Sequence, residues 1–242
     1  MAGVRHAAGR VTLVADGVWA RGRHLLRSID ANYPDLDNPN RPRPDTSFGR
    51  IIVRESKGHS WYRALQLGVE TQPLRGHMFS AAYTLASAER DTEDWDFLPY
   101  DQRNYGAERG PSASDARHRV SASANVRLPG RFQLAALITA QSALPYNITI
   151  GTDANRDGES TTDRTGISRN SARGDDLWQI DVRITRYFRV AGLRVAGLAE
   201  AFNIANHRNW IGYDGKKNNE TFGRPTGAAS AREIQLGVKV DF

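Results

Sequence analysis

The chain has 242 residues, no cysteine, and 33 Lys plus Arg against 27 Asp plus Glu, a formal net charge of +6. That length suits one large β domain or two ordinary ones, and the missing Cys removes disulfides, thiolate metal sites and Cys nucleophiles. No apolar run reaches the roughly 18 residues of a membrane-crossing helix, but a mean hydropathy of −0.57 leaves room for strands that are apolar only at every second residue. The basic excess invites a nucleic-acid partner through counterion release. Its charges are scattered through loops and alternate strand positions with no basic stripe to follow a phosphate backbone, so no nucleic acid is expected.

Residues 1–10 hold no apolar core of the length a secretory signal needs. The expectation is therefore the C-terminal piece of something longer. Residues 11–19, continuing through His24, Leu25 and Leu26, alternate as a strand does. Pro, Asn and Asp between Tyr33 and Asp45 then make a loop. Residues 50–72 read as one strand kinked at Lys57-Gly58, a small extra hairpin being the other reading. In it Trp61, Leu65, Leu67 and Val69 oppose Tyr62, Gln66 and Glu70. Pro73 to Gly76 turns the chain tightly into Phe79, Ala81, Tyr83 and Leu85.

A long polar connection follows from Arg90 to Arg117, of a size unusual in a compact soluble domain. Val120, Ala122, Ala124, Val126 and Leu128 form the next apolar face. Pro129-Gly130 turns it into Phe132, Leu134, Ala136, Ile138 and Ala140. After a second long loop, from about Pro145 to Asp175, come Trp178, Ile180, Val182 and Ile184, a short link at Gly192, then Leu193, Val195, Gly197 and Ala199. A third loop, Asn206 to Ser230, leads to the last nine residues. There Ile234, Leu236, Val238, Val240 and Phe242 share one face and Gln235, Lys239 and Asp241 the other.

Two regularities go beyond alternation. The strands run roughly 10 to 14 residues, longer than the usual five or six and close to the roughly 9 to 11 of tilted membrane strands. Tight turns and long polar loops also alternate strictly. The fold class expected is all-β: an antiparallel transmembrane β-barrel segment of about eight long strands, with short periplasmic turns and long extracellular loops. From Trp61 onward the apolar faces carry only Arg63 and His77, each near a strand end. Arg or Lys costs about 2 to 4 kcal/mol at mid-bilayer but roughly 0 to 1 near an interface. Aromatics near strand ends, among them Trp19, Trp61, Tyr83, Tyr146, Trp178 and Phe242, fit an interfacial girdle or ordinary cross-strand packing. A soluble β-sandwich binding module alternates in the same way and remains the competing reading.

Certain phrases, taken in this order and spacing, resemble a family. They include Arg21-Gly22-Arg23-His24-Leu25-Leu26, Ser60-Trp61-Tyr62-Arg63-Ala64-Leu65-Gln66, Ala82-Tyr83-Thr84-Leu85-Ala86 and Asp115-Ala116-Arg117-His118-Arg119. Further on come Gln141-Ser142-Ala143-Leu144-Pro145-Tyr146-Asn147, Asp153-Ala154-Asn155-Arg156-Asp157-Gly158, Glu200-Ala201-Phe202-Asn203-Ile204-Ala205-Asn206 and the ending from Arg232. The chain is similar to the C-terminal barrel of Oar-like TonB-dependent outer-membrane receptors. That resemblance implies the last part of a barrel of about 22 strands in the bacterial outer membrane, without plug or earlier strands, taking part in energised uptake of a scarce ligand. It implies outer-membrane lipid, lipopolysaccharide and the outer-membrane assembly machinery as partners, with TonB reached only through the missing plug. An independent small barrel acting as adhesin or anchor is the alternative.

The one metal-like constellation is Asp153, Asn155, Asp157 and Glu159 with Asp163, in the D-x-N-x-D-G spacing of a calcium loop. Arg164 stands at the twelfth position, where a bidentate Glu is expected, and an exposed Asx-rich turn is the plainer reading. No other cofactor is expected. No enzyme is expected either: the loop acids Asp91 to Asp96 and Asp175-Asp176 read as solvated charges, the six histidines show no metal spacing, and no Ser sits in a nucleophile elbow.

Overall fold

The computed structural model describes residues 1–38 and 40–241. Phe242, the last apolar residue singled out in the final strand, lies outside the described residues. Nine long strands form one meandering antiparallel sheet in chain order. They are β1 (Ala2–Ala8), β2 (Val11–Asp30), β3 (Ile52–Thr71), β4 (Met78–Arg90), β5 (His118–Leu128), β6 (Phe132–Gln141), β7 (Leu177–Val190), β8 (Leu193–Phe202) and β9 (Glu233–Asp241). The eight strands read from the sequence are all present, and β1 precedes them. Among the described residues β1 and β9 do not pair with each other, so the sheet is open.

Pairing register explains why alternation is kept so strictly. Leu13 faces Val69, Val69 faces Ala81, Ala81 faces Ala122, Ala122 faces Ile138 and Ile138 faces Ile180, one apolar row across six strands. Ile184 continues to Ala199 and Leu236, and Val182 to Ala201 and Ile234. A slip of one residue in any strand would put a polar side chain into this surface.

Burial is inverted relative to a protein folded in water. Among the described residues the buried apolar side chains are Ala116, Ala143 and Ala196, whereas Arg169, Glu108, Asn32, Asn203 and Asp163 are fully buried. Leu236, at 82% exposed, and Val238, at 74%, stand clear of any protein layer. Among the described residues nothing covers the apolar face, where Leu65, Phe79, Ile138 and Ile184 stay exposed, so the sandwich reading, which needs a second layer there, fails. A surface of this kind is stable only where the surrounding solvent is hydrocarbon.

The apolar face carries one more cation than the sequence reading allowed. Arg186 pairs with Phe132 and Gly197 on the same face as Ile184. Its guanidinium lies 5.0 Å from the centroids of both the Phe132 and Phe188 rings, which shelter the charge by cation–π contact near the tight-turn edge.

Connections alternate without exception. Turns at residues 9–10, 72–77, 129–131 and 191–192 share one edge, and loops at residues 31–51, 91–117, 142–176 and 203–232 share the other. Arg75 (φ 52°) with Gly76 (φ 86°), and Ala191 (φ 49°) with Gly192 (φ 84°), put two successive residues in the left-handed region, as the hairpin turn matching strand twist requires. Ala191 is the strained member, so Ala191→Asn is expected to stabilise the sheet by up to about 1 kcal/mol, read as a higher urea midpoint in detergent micelles. The kink read at Lys57-Gly58 is a feature of the partner strand: β2 bulges at His24 (φ 59°), where the register shifts around Leu25 opposite Gly58. β3 itself is one unbroken strand over Ile52–Thr71, and a Cβ on Gly58 would fall 2.6 Å from the Thr92 methyl.

Candidate functional site

The four long loops leave the same edge of the sheet and interlock above it. At the centre Arg164 donates at 2.7 Å to Glu108, with side chains only 3% and 1% exposed. Glu108 also accepts the Tyr100 N–H at 2.7 Å. Arg169, pressed near the Phe97 ring, donates to the Glu108 carbonyl at 2.6 Å, to Glu93 at 2.8 Å and to the Arg90 carbonyl. Burial draws its guanidinium below the ordinary arginine value. Arg173 meets Asp115 at 2.6 Å. The second and third loops are thus joined by buried ion pairs.

The first loop is held by Asn32, whose Nδ2 donates to the carbonyls of Asp45, Phe48 and Gly49, and by Arg43, paired with Asp30 at 2.7 Å. Arg43 reaches on to the Asp157 carbonyl at 2.7 Å and Arg50 to Glu159 at 2.5 Å. The fourth loop joins the third through paired backbone bonds at Thr149 and through the Tyr213 hydroxyl, which donates to Asp175 at 2.7 Å. Asn203, inside one of the family-like phrases, donates to the His207 and Ser230 carbonyls and accepts the His207 N–H, closing the base of the fourth loop.

These contacts correct the expectation of solvated loop acids. Asp91 is buried and accepts both the backbone N–H and the ring nitrogen of His59, Glu93 is paired with Arg169, and Asp176 accepts the Ala143 N–H. Each is needed to neutralise a buried cation or satisfy a loop donor. Asp94, Asp96, Asp175 and Asp176 do remain exposed, as read.

Beneath this cap the inner wall is polar and cross-bonded. Ser80 meets Ser123, Asn125 accepts from Gln133, Tyr187 donates to Gln133, each at 2.7 Å, and Arg183 pairs with Glu200 at 2.5 Å. A concavity of about 380 Å³ lies where wall and second loop meet, lined by Tyr62, Gln66, Thr84, Ser112, Asp115 and Arg119.

On the outer face, at the loop edge, Trp19 pairs with Arg63 and Arg21 with Trp61. Arg109 stacks 4.2 Å over the Trp61 ring while pairing with Glu89 at 2.7 Å. Of the aromatics read as an interfacial girdle, Trp19 and Trp61 stand here, Trp61 beneath the Arg109 guanidinium.

The calcium-like residues lie in the third loop. Asp153 accepts the N–H groups of Asp157 and Gly158, Asn155 that of Asp157, Asp157 that of Glu159, and Asp163 that of Ala154. Glu159 is turned away to Arg50 and Thr161. Among the described residues no group of three or more His, Cys, Asp or Glu side chains stands close enough together to hold a metal ion as the loop is arranged here. Burial, with repulsion from Asp153, pushes the Asp157 and Asp163 carboxyls above their ordinary values. Sequence reading missed Glu108, Arg164 and Arg169, because an ion pair between loops leaves no local periodicity.

A meander with a lipid-facing outer surface, a polar inner wall, tight turns at one edge and a polar loop cap at the other defines an outer-membrane β-barrel protein. A model of the family described as outer membrane beta barrel domain matches residues 5–168 and 165–235. The chain belongs to that family, and its place is the bacterial outer membrane.

The solved structures most like it include the outer membrane transporter YddB from Escherichia coli (TM-score 0.67, 14% identity, covering 98% of this chain and 31% of that one). BauA, the ferric preacinetobactin receptor from Acinetobacter baumannii, matches with TM-score 0.56 and 14% identity over 99% of this chain and 28% of its own. The FrpB iron transporter from Neisseria meningitidis matches with TM-score 0.52 and 12% identity over 98% and 30%. These likenesses are of fold, and the chain spans about a third of each protein's length. No curated protein sequence matches the chain.

Proposed function

We propose that residues 1–242 are the C-terminal portion of a larger TonB-dependent receptor barrel, whose plug and earlier strands are contributed by sequence outside it, and that it takes part in energised uptake of a scarce ligand. The observation that carries this is the open nine-strand meander. In a meander, strands of odd number run the same way, so joining β9 directly to β1 would make a parallel seam. Bacterial single-chain barrels have an even number of antiparallel strands. Further strands between these two edges remove the conflict, and the share of the transporter structures that the chain covers supports their number.

In that reading the loop cap and the polar concavity beneath it meet the ligand, TonB acts only through the plug, and the assembly machinery reads the apolar face of β9. Lipopolysaccharide phosphates sit over Arg21, Arg63 and Arg109, with acyl chains against Trp19 and Trp61. The test is the size of the natural product: an antibody to the loop at residues 209–222, used on outer membranes, is expected to mark a protein about three times the 26.8 kDa of this chain. A band at 26.8 kDa itself would favour the small independent barrel.

A further inference from the structure

Residues 153–163 form an acidic loop whose Asp153, Asn155, Asp157 and Asp163 side-chain oxygens accept the loop's own N–H groups. The Asp153 carboxylate accepts two N–H groups of its own loop at 3.0 Å each, and Gly158 (φ 92°) makes the loop's sharp turn. Asn155 is oriented by its Nδ2, which donates to the Tyr100 carbonyl at 2.8 Å and to Asp157 Oδ2 at 3.1 Å, while its Oδ1 accepts the Asp157 N–H. Each of these oxygens keeps a second lone pair after its N–H bond is made.

The independent observation is Asp163. It has no solvent exposure; one carboxylate oxygen accepts the Ala154 N–H, across the loop beside Asp153, and the other, Oδ1, is buried with no partner. Thr162 Oγ1 is likewise buried without a partner, and the Tyr33 hydroxyl is directed at Asp157. An orphaned buried carboxylate oxygen is among the costliest polar defects a fold can hold. Repulsion from Asp153 and Asp157 adds to that cost.

We propose that this loop binds a calcium ion through the side-chain oxygens of Asp153, Asn155, Asp157 and Asp163 and the backbone carbonyl of Glu159. The ligands are all hard oxygens on a flexible loop, which suits calcium's six to eight ligands better than the rigid octahedron of magnesium. The Glu159 carboxylate is occupied by Arg50, and Arg164 at the twelfth position is turned to Glu108, so Asp163 supplies the closing acid. Without the ion the carboxylates are held apart by their own charge, and with it they close. Because Arg43 ties Asp157 to the first loop and Tyr100 ties Asn155 to the second, the ion braces three loops at once.

Hydrogen exchange read by mass spectrometry, on the protein purified from outer membranes in micelles, tests this. Adding calcium after chelation is expected to slow exchange of peptides spanning 153–163 by about tenfold or more, with a half-effect between about 10 μM and 1 mM, and equal magnesium to do much less. Tb³⁺ should give emission sensitised by Tyr33 and Tyr100, displaced by calcium and lost in D157N and D163N. Unchanged wild-type exchange up to millimolar calcium overturns the proposal whatever the variants do. So does an effect that survives intact in D157N and D163N with the loop still protected.

Discussion

Glu108→Ala is expected to release the loop cap while leaving the barrel wall intact. The substitution strands Arg164, 3% exposed, without its carboxylate and removes the acceptor of the Tyr100 N–H. Breaking one partner of a buried pair costs about 3 to 5 kcal/mol, enough to unfold the joined second and third loops locally. Trypsin should then cut within residues 91–117 and 142–176 much faster than in the natural protein, while the strands keep their β circular dichroism and heat-modifiable migration. Converting both members to apolar residues of similar size, Glu108→Leu with Arg164→Met, should recover most of the loss, because a paired charge removed whole leaves nothing unpaired. Equal protease sensitivity of Glu108→Ala and natural protein would show that the pair contributes nothing to the cap.

The second large effect lies on the opposite solvent. Ile138 sits in the apolar row between Ala122 and Ile180, six residues from the Phe132 end of its strand and three from the Gln141 end. Ile138→Arg is expected to cost about 2 to 4 kcal/mol, since a cation at that depth meets hydrocarbon. Thr139→Arg, one residue on, points to the inner wall beside Gln179 and Ser121 and should change stability little. Unfolding by denaturant in lipid vesicles separates the two. Equal effects at both positions would mean that the face of Ile138 does not touch lipid. Arg186 is no counterexample, being near the turn and held between two aromatic rings.

The strands were legible because their information is local: one residue up, the next down, for ten residues or more, with Pro and Gly where the chain must reverse. Ala2–Ala8 was the exception. Its outward side chains are Ala2, Val4, His6 and Ala8, too weak a pattern to read until their pairing with Gly17, Ala15, Leu13 and Val11 is seen. The cap was not legible for the opposite reason. Arg164 and Glu108 are 56 residues apart, Arg169 and Glu93 76 apart, Arg43 and Asp157 114 apart, and a charge in a polar loop looks the same in sequence whether it meets water or a buried partner. The calcium-like spacing was visible in the sequence, but the unpartnered oxygen of Asp163 was not, because it depends on how the chain closes around the loop.

The two-residue rhythm of the strands has a consequence for how such a chain travels. Because apolar and polar side chains take turns, no stretch presents the sustained greasiness that halts a nascent polypeptide in the first bilayer it meets, and no helix of the described residues is long and apolar enough to lodge there. The same sequence becomes uniformly oily on one side only once it is drawn out flat beside its neighbours. Passage through one membrane and residence in another are thus written in a single pattern, read differently before and after the sheet exists.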